Sequence, residues 1–359
     1  MRFGNQWNCL SYEECIPDIP IHSGELVMKA ICVTPERALA VRDIPAPNQP
    51  APDHLLIDIE ASAINHGDKI FLRMPAAAGN ALAASQHEVW GVSAAGRVVA
   101  AGARVPARYT GKRVAVYRSL NRSPNNIGLW CETAQVPYTS CLILPEDVGA
   151  LDYSGSLVNV MTAYAFLETI AEAGHRGVIA TAGNSATGVA LAALARQRGM
   201  PVILLVRNQA TQAALLCQRA QHVLVTTEED FADTLSKLSA ELGTTAVFDG
   251  VGGGLTSQIA AHLPIRSAIY IYGTMGGPGA FPVSAPLFLM KDLSMQRFSN
   301  FESRTVREPE KLTVALSALE SVIADPVFRT RAGRVFRFDQ IEEAMAFEAA
   351  DGGKAILVP

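Results

Sequence analysis

The segment that most restricts the fold is Ala182-Gly183-Asn184-Ser185-Ala186-Thr187-Gly188. It joins a strand-like run, VIATA at 178–182, to an alanine-rich helical run at 189–198. A strand that turns through small residues into a helix opens a parallel sheet with crossover helices. Such a turn lets backbone N–H groups approach a pyrophosphate, and the helix N-terminus adds partial positive charge. Asn184, Ser185, Ala186, Thr187 and Gly188 are therefore the candidate phosphate cradle. The GxGxxG pattern is absent, with only Gly183 and Gly188 in place, so a purely structural turn is the alternative.

The next strand-like run, VILLV at 202–206, decides which nucleotide the turn suits. An acidic residue about 20 positions past such a turn holds the ribose 2'-hydroxyl of NAD. Here Arg207 and Asn208 stand in that place, 19 and 20 positions after Gly188. A guanidinium pairs with a 2'-phosphate, so NADPH is expected over NADH. A solvated arginine at a strand end is the alternative.

Further strands are expected at 223–226, 246–249 and 267–273, with helical runs after Gln209, Phe231 and Leu255. Residues 151–301 thus read as a Rossmann, doubly wound parallel-sheet domain. Upstream, short apolar or alternating runs such as VMKAICV, HLLIDIEASAI and KRVAVY are separated by turn residues, so 28–150 should be mostly β. After 301 come a helix around 312–323, a strand RVFRF, a helix at 340–348 and a last strand KAILVP. Residues 302–359 are expected to return to the first domain.

Composition removes several classes of function. The 359 residues carry 30 Lys and Arg against 34 Asp and Glu, a net charge of -4, with 49% hydrophobic residues. This is a chain with sizeable cores and no basic field for nucleic acid or anionic lipid. The uncharged run 267–290 is broken by glycines and prolines and does not read as a membrane span. Cys9, Cys15, Cys32, Cys131, Cys141 and Cys217 have neither CxxC nor zinc-ligand spacing and look like reduced thiols of a cytoplasmic protein. Residues 1–25 lack an apolar core of signal-peptide length.

Several separated segments, taken in order, resemble the medium-chain dehydrogenase/reductase superfamily, in its zinc-free quinone oxidoreductase and enoyl reductase branch. They are MKAI at Met28, ASAINHGD at 61–68, GVSAAGRVVAAG at 91–102, GKRV at Gly111, MTAY at Met161, the AGNSATG turn, FDGVGG at Phe248 and the terminal GGKAILVP. The resemblance implies a GroES-like β domain plus a Rossmann domain, with cofactor and a small electrophilic substrate in the cleft between them. Met28 sits where members of the family begin, so 1–27 look like an N-terminal extension. A homodimer through the outer strand of the Rossmann sheet is implied as well.

The resemblance also assigns roles. Asn65 is implied to lie beside the nicotinamide as an amide donor to the substrate carbonyl, Asp68 to anchor its loop, and His66 to be a candidate proton donor. Thr162 and Tyr164 match a segment near the cofactor, Tyr164 being a catalytic candidate or a packed aromatic. Gly250 and Val251, then Tyr272, Gly273 and Thr274, lie at the carboxyl edge of the sheet, where their backbone should hold ribose and nicotinamide. Lys354 is implied to reach back to the cleft and meet the cofactor.

Zinc members place a cysteine where this chain has Asn65 and a His-Glu pair where it has Val92-Ser93. His87-Glu88 falls five positions too early for that register. No metal site is expected, and alcohol oxidation would lack its Lewis acid. Conjugate reduction remains feasible, because hydrogen-bond donors can stabilise the carbonyl oxygen of a quinone or enone. The tyrosine that donates a proton in related enoyl thioester reductases is missing at 73–78, and the tyrosine that quinone reductases often carry two residues after the aspartate is Ile70 here. The expectation is therefore an NADPH-dependent, zinc-independent reductase of quinones or α,β-unsaturated carbonyl compounds. The alternatives are an enoyl thioester reductase and a non-catalytic NADPH-binding regulator.

Overall fold

The computed structural model describes residues 26–73, 85–277, 279–280, 282, 284–349 and 352–359. Most of the expected extension, 1–25, and most of the loop 75–86 lie outside them. The first strand, β1 (Val27–Val33), pairs antiparallel with β2 (Leu39–Pro45). There follow β3 (His54–Ala63), helix α1 (His66–Arg73), β4 (Ser93–Ala101), β5 (Arg113–Tyr117), β6 (Thr133–Pro137) and β7 (Cys141–Ile143). Along β3 the two-residue period sends Leu55, Ile57 and Ile59 into one core with Val114, Val116, Ala134 and Val136.

Helices α2 (Ala150–Tyr153) and α3 (Ser156–Glu172) lead into six parallel strands: β8 (Val178–Ala180), β9 (Val202–Val206), β10 (His222–Val225), β11 (Ala246–Asp249), β12 (Ala268–Ile271) and β13 (Ser294–Arg297). Between them run α4 (Ala186–Gln197), α5 (Gln209–Cys217), α6 (Phe231–Leu242), α7 (Gly253–Ala260) and α8 (Ala285–Lys291). The order β10-β9-β8-β11-β12-β13 reverses direction between β8 and β11, the crevice where such sheets bind ligands. Helices cover both faces, so strand β9 is buried at every residue.

The chain closes with α9 (Arg304–Arg307), α10 (Pro309–Glu320), β14 (Ala332–Arg337), α11 (Ile341–Ala346) and β15 (Lys354–Val358). Strand β15 pairs parallel with β14 and antiparallel with β3, Ile356 opposite Ala63 and Leu357 opposite Ser62. The last strand therefore lies in the first domain's sheet, and its leading residue, Lys354, comes beside the exit of β3. One apolar core runs without a break from Ala61 and Tyr117 through α3 to Ala180 and Phe248, so both sheets pack on the same helix. No helix among the described residues is long and apolar enough to cross a membrane.

Two boundaries differ from the sequence pattern for a local reason. The first parallel strand stops at Ala180, and α4 begins at Ala186 rather than Val189. The Ser185 hydroxyl accepts the Gly188 N–H at 3.1 Å, an N-cap that starts the helix inside the small-residue turn.

Candidate active site

The turn between β8 and α4 is built by close packing. A Cβ on Gly188 would lie 2.7 Å from the Gly183 carbonyl oxygen and 2.8 Å from that of Ala182, so only glycine lets the helix seat on the strand end. Ala182 takes a left-handed φ of 52°, which costs a residue with a Cβ about 1 kcal/mol. Ser185 caps the Gly188 N–H, whereas the amides of Ala186 and Thr187, first in the helix, have no intrahelical acceptor. Those two N–H groups, with the dipole behind them, fit a diphosphate. Exposed Asn184 flanks them.

Arg207 follows β9 directly and is exposed. It enters no salt bridge among the described residues, so its guanidinium is open to an anionic partner. Asn208 has a different task from the one expected: its side chain accepts the Thr211 N–H at 2.9 Å and caps α5.

The turn after β11 corrects a second expectation. Asp249 is fully buried and accepts from the Thr181 hydroxyl at 2.6 Å, the Val251 and Gly252 amides at 3.0 Å each and the Thr256 hydroxyl at 2.5 Å. The Gly250 N–H goes to Thr181 Oγ1 at 2.9 Å, and the Gly250 and Val251 carbonyls accept from Met275 and Gly276. The N–H groups of Gly250 and Val251 are thus committed inside the turn and are not free to hold a ribose. Thr181 and Thr256, which set this geometry, carry no sequence signal beyond being hydroxyl residues near a strand end.

Tyr272 leaves β12 and stacks on Phe248, ring centroids 3.8 Å apart, and Phe248 stacks on Phe166 of α3 at 4.0 Å. This pile aims the phenol at Gly250, where a Cβ would lie 2.6 Å from the hydroxyl. Ser185 is the polar neighbour favouring its ionised form, while burial pushes the phenol up to about 12. Among the described residues no hydrogen bond of normal geometry is formed to this buried hydroxyl beside the glycine turn. Gly273 and Thr274 continue from it at the same carboxyl edge. An orphaned donor at this point is what a ligand crossing the sheet edge satisfies.

At the exit of β3, Asn65 is held on every side. Its Nδ2 donates to Ser93 Oγ at 2.6 Å and to the Ala63 carbonyl at 3.3 Å, and its Oδ1 accepts from Lys354 Nζ. Both amide hydrogens are used, so Asn65 does not offer a free donor to a substrate carbonyl. The open N–H groups at this spot belong to Lys354. Asp68 accepts the Asn65 backbone N–H at 2.8 Å, anchoring the loop as expected. It is fully buried, and burial raises its carboxyl to about 6 against the attraction of Lys354 and Arg118. Burial likewise lowers Lys354 to about 8 and Arg118 to about 10, each opposed by Asp68.

Gly155, which precedes α3, lets these parts converge. A Cβ there would meet Ala63 Cβ at 2.7 Å, Lys354 Nζ at 3.4 Å and Asn65 Oδ1 at 3.5 Å. The Gly155 carbonyl accepts from Asn159 Nδ2 at 2.6 Å, and Asn159 Oδ1 accepts from the Thr187 hydroxyl at 3.0 Å. Two hydrogen bonds through the first turn of α3 therefore tie the glycine turn of one domain to Gly155, which packs beside Lys354 and Asn65 of the other. A second tie runs from Tyr117 through Asn300 to Thr162, at 3.0 and 2.6 Å. Thr162 is a strut between domains.

Two catalytic candidates stand apart. His66 is exposed at the start of α1 and hydrogen-bonded to none of these groups; burial first, then Lys69 and Arg73, lower its pKa. Tyr164 packs beneath the Arg198 guanidinium, 4.6 Å from ring centroid to carbon, with Glu168 paired to that arginine. Arg198 caps the end of α4, about 20 Å along the helix from Ser185. Tyr164 therefore faces away from the cleft, because a helix puts residues two apart on different faces and Thr162 already faces inward. His87 and Glu88 both have left-handed φ, 56° and 54°, in a loop. Among the described residues no three or more His, Cys, Asp or Glu are grouped to hold a metal ion.

A GroES-like sheet joined to a Rossmann sheet, with the glycine turn and the Asn65 cluster meeting at their junction, defines an oxidoreductase of the medium-chain dehydrogenase/reductase superfamily. The proteins that it is similar to include quinone oxidoreductases and enoyl reductases of that superfamily. Residues 51–165 match the alcohol dehydrogenase GroES-like domain. A Mesorhizobium loti protein assigned as an NADPH:quinone reductase is 26% identical, with a TM-score of 0.73 over 93% of this chain and 98% of that one. A mycobacterial protein complexed with NADPH is 25% identical, with a TM-score of 0.68 over 92% and 100%. The synaptic vesicle membrane protein VAT-1 homolog of Mus musculus is 26% identical over 339 residues, 87% of this chain and 78% of that one. For the Homo sapiens homolog the alignment spans 55% of its length at 27% identity.

Proposed function

We propose that the chain is an NADPH-dependent, zinc-independent reductase of quinones or α,β-unsaturated carbonyl compounds. The observation that carries this reading is the pairing of open amides at Ala186 and Thr187 with an exposed Arg207, which makes no salt bridge among the described residues, after the neighbouring strand. Similarity to the NADPH-complexed mycobacterial protein supports it. In this reading Ala186 and Thr187 hold the pyrophosphate, Arg207 pairs with the 2'-phosphate, and Tyr272, Gly273 and Thr274 border the path to the nicotinamide. The reduced nicotinamide supplies a hydride when bound.

The protein's own residues then hold the substrate carbonyl and manage charge. Lys354, fixed by Asn65, presents a cation to the oxygen on which negative charge grows, and the surrounding burial strengthens that attraction. Asn65, Val92 and Ser93 stand where a zinc site would need cysteine, histidine and glutamate, which supports chemistry without a Lewis acid. Cys32, Cys131, Cys141 and Cys217 are free thiols, which supports a reducing, cytoplasmic setting. The exposed edge of β13, near Leu289 and Met290 at 85% and 81% exposure, supports pairing with a second copy. Purified protein treated with a chelator should oxidise NADPH with a quinone, an enone or an enoyl thioester. Activity abolished by chelation and restored by zinc contradicts the reading.

A further inference from the structure

We propose that Lys354 is the proton donor that completes reduction of an enone at the exit of β3, with Asn65 as the residue positioning its ammonium. The inference rests on the reductase reading above and names the group that it leaves open.

Four observations carry it. Asn65 has no free amide hydrogen, because Ser93 Oγ and the Ala63 carbonyl take both. Its Oδ1 takes one hydrogen from Lys354, leaving two on the ammonium. A Cβ on Gly155 would collide with Ala63 Cβ at 2.7 Å, with Nζ 3.4 Å from the same point, so the missing side chain is what brings α3 up to the ammonium. The bonds from Thr187 through Asn159 to Gly155 put this contact in one frame with the glycine turn.

The other candidates are placed elsewhere or lack a proton to give. Tyr164 lies under Arg198. His66 stands exposed at the start of α1, hydrogen-bonded to none of the groups around Lys354. The Tyr117 hydroxyl already donates to Asn300. Groups facing Lys354 are Asp68 from α1, Asn65 ahead of it and Gly155 before α3, with Ser93 on β4 behind Asn65 and Tyr117 and Arg118 at the end of β5 on the far side of Asp68. Of these only Asp68 brings negative charge, and the desolvation of Lys354 outweighs it. The ammonium is therefore lowered to about 8, close enough to physiological pH for a general acid to act.

The step balances as follows. The β-carbon of the enone gains a hydride from the reduced nicotinamide, and the carbon–carbon π pair moves to form an enolate. An Nζ–H bond of Lys354 breaks as its proton passes to the enolate, leaving a neutral amine. Lys354 is partly exposed, and solvent returns the proton.

The test compares Lys354→Met and Lys354→Arg with the parent protein, using NADPH with an enone and with a quinone. The quinone is the internal control, since its reduced monoanion is a weak base that water can protonate. Both variants should slow enone reduction by roughly 100-fold and lose the fall in kcat/KM above pH 8, while quinone reduction by Lys354→Arg, which keeps the cation beside the carbonyl oxygen, falls less than about 10-fold. Enone turnover restored by Lys354→Arg, or the same pH limb in Lys354→Met, overturns the assignment. A second readout needs no turnover: in cofactor-free protein with 13C-labelled lysine, the resonance lost in Lys354→Met should titrate near pH 8. Titration at the ordinary lysine value overturns the proton-donor role alone. A parent protein whose Lys354 titrates near 8 but which reduces neither acceptor overturns the reductase reading instead.

Discussion

The Thr187 hydroxyl donates to Asn159 Oδ1 at 3.0 Å, across the junction between the Rossmann sheet and helix α3. Because Asn159 in turn holds the Gly155 carbonyl, a ligand on the glycine turn and a reacting group beside Lys354 share one scaffold. Thr187→Val should remove this link and weaken NADPH binding by about 5-fold, the worth of one neutral hydrogen bond. Thr187→Ser should bind as the parent does. Calorimetric titration of both variants checks this.

Arg207→Ala should weaken NADPH by roughly 10- to 100-fold, the range for a charge-assisted bond, and leave NADH within about 2-fold. Dissociation constants for both nucleotides decide the matter. Equal weakening of the two removes the 2'-phosphate assignment.

Asp249→Asn should destabilise the fold by about 2–4 kcal/mol, because a buried carboxylate accepting four hydrogen bonds is replaced by a group with an acceptor and a donor. Urea unfolding would show a lower midpoint with an unchanged slope.

Asp68 gives a pH signature. Its folded value, about 6, lies above its unfolded one, so its contribution to stability is fully present below pH 4 and is lost as pH rises through 6. Stability should fall across that window, by up to roughly 3 kcal/mol from this group, and Asp68→Asn should flatten the fall. Urea midpoints measured from pH 4 to pH 7 in both proteins test the sign.

Much of the architecture was legible in the residues. VILLV and AVFD are strands with their expected bounds, because parallel strands buried on both faces read as continuous apolar runs. The place of Arg207, exposed just past β9, was readable from its spacing. What could not be read depends on which partner meets which atom. Asn65 is indistinguishable in sequence from a free amide donor until Lys354, 289 residues away, is seen against it. Tyr164 and Thr162 sit two positions apart, and only the packing of α3 decides which faces the junction. Gly250 and Val251 looked like ligand-binding backbone because the sequence does not show Thr181 and Asp249 taking their N–H groups.

The reading stands on one nucleotide binding at the α4 N-terminus. Calorimetry of purified, chelator-treated protein with NADPH measures this directly. A single site per chain, with NADPH bound at least about 10-fold more tightly than NADH, is the predicted result. No heat with NADPH on folded protein, or equal affinity for the two nucleotides, would contradict it.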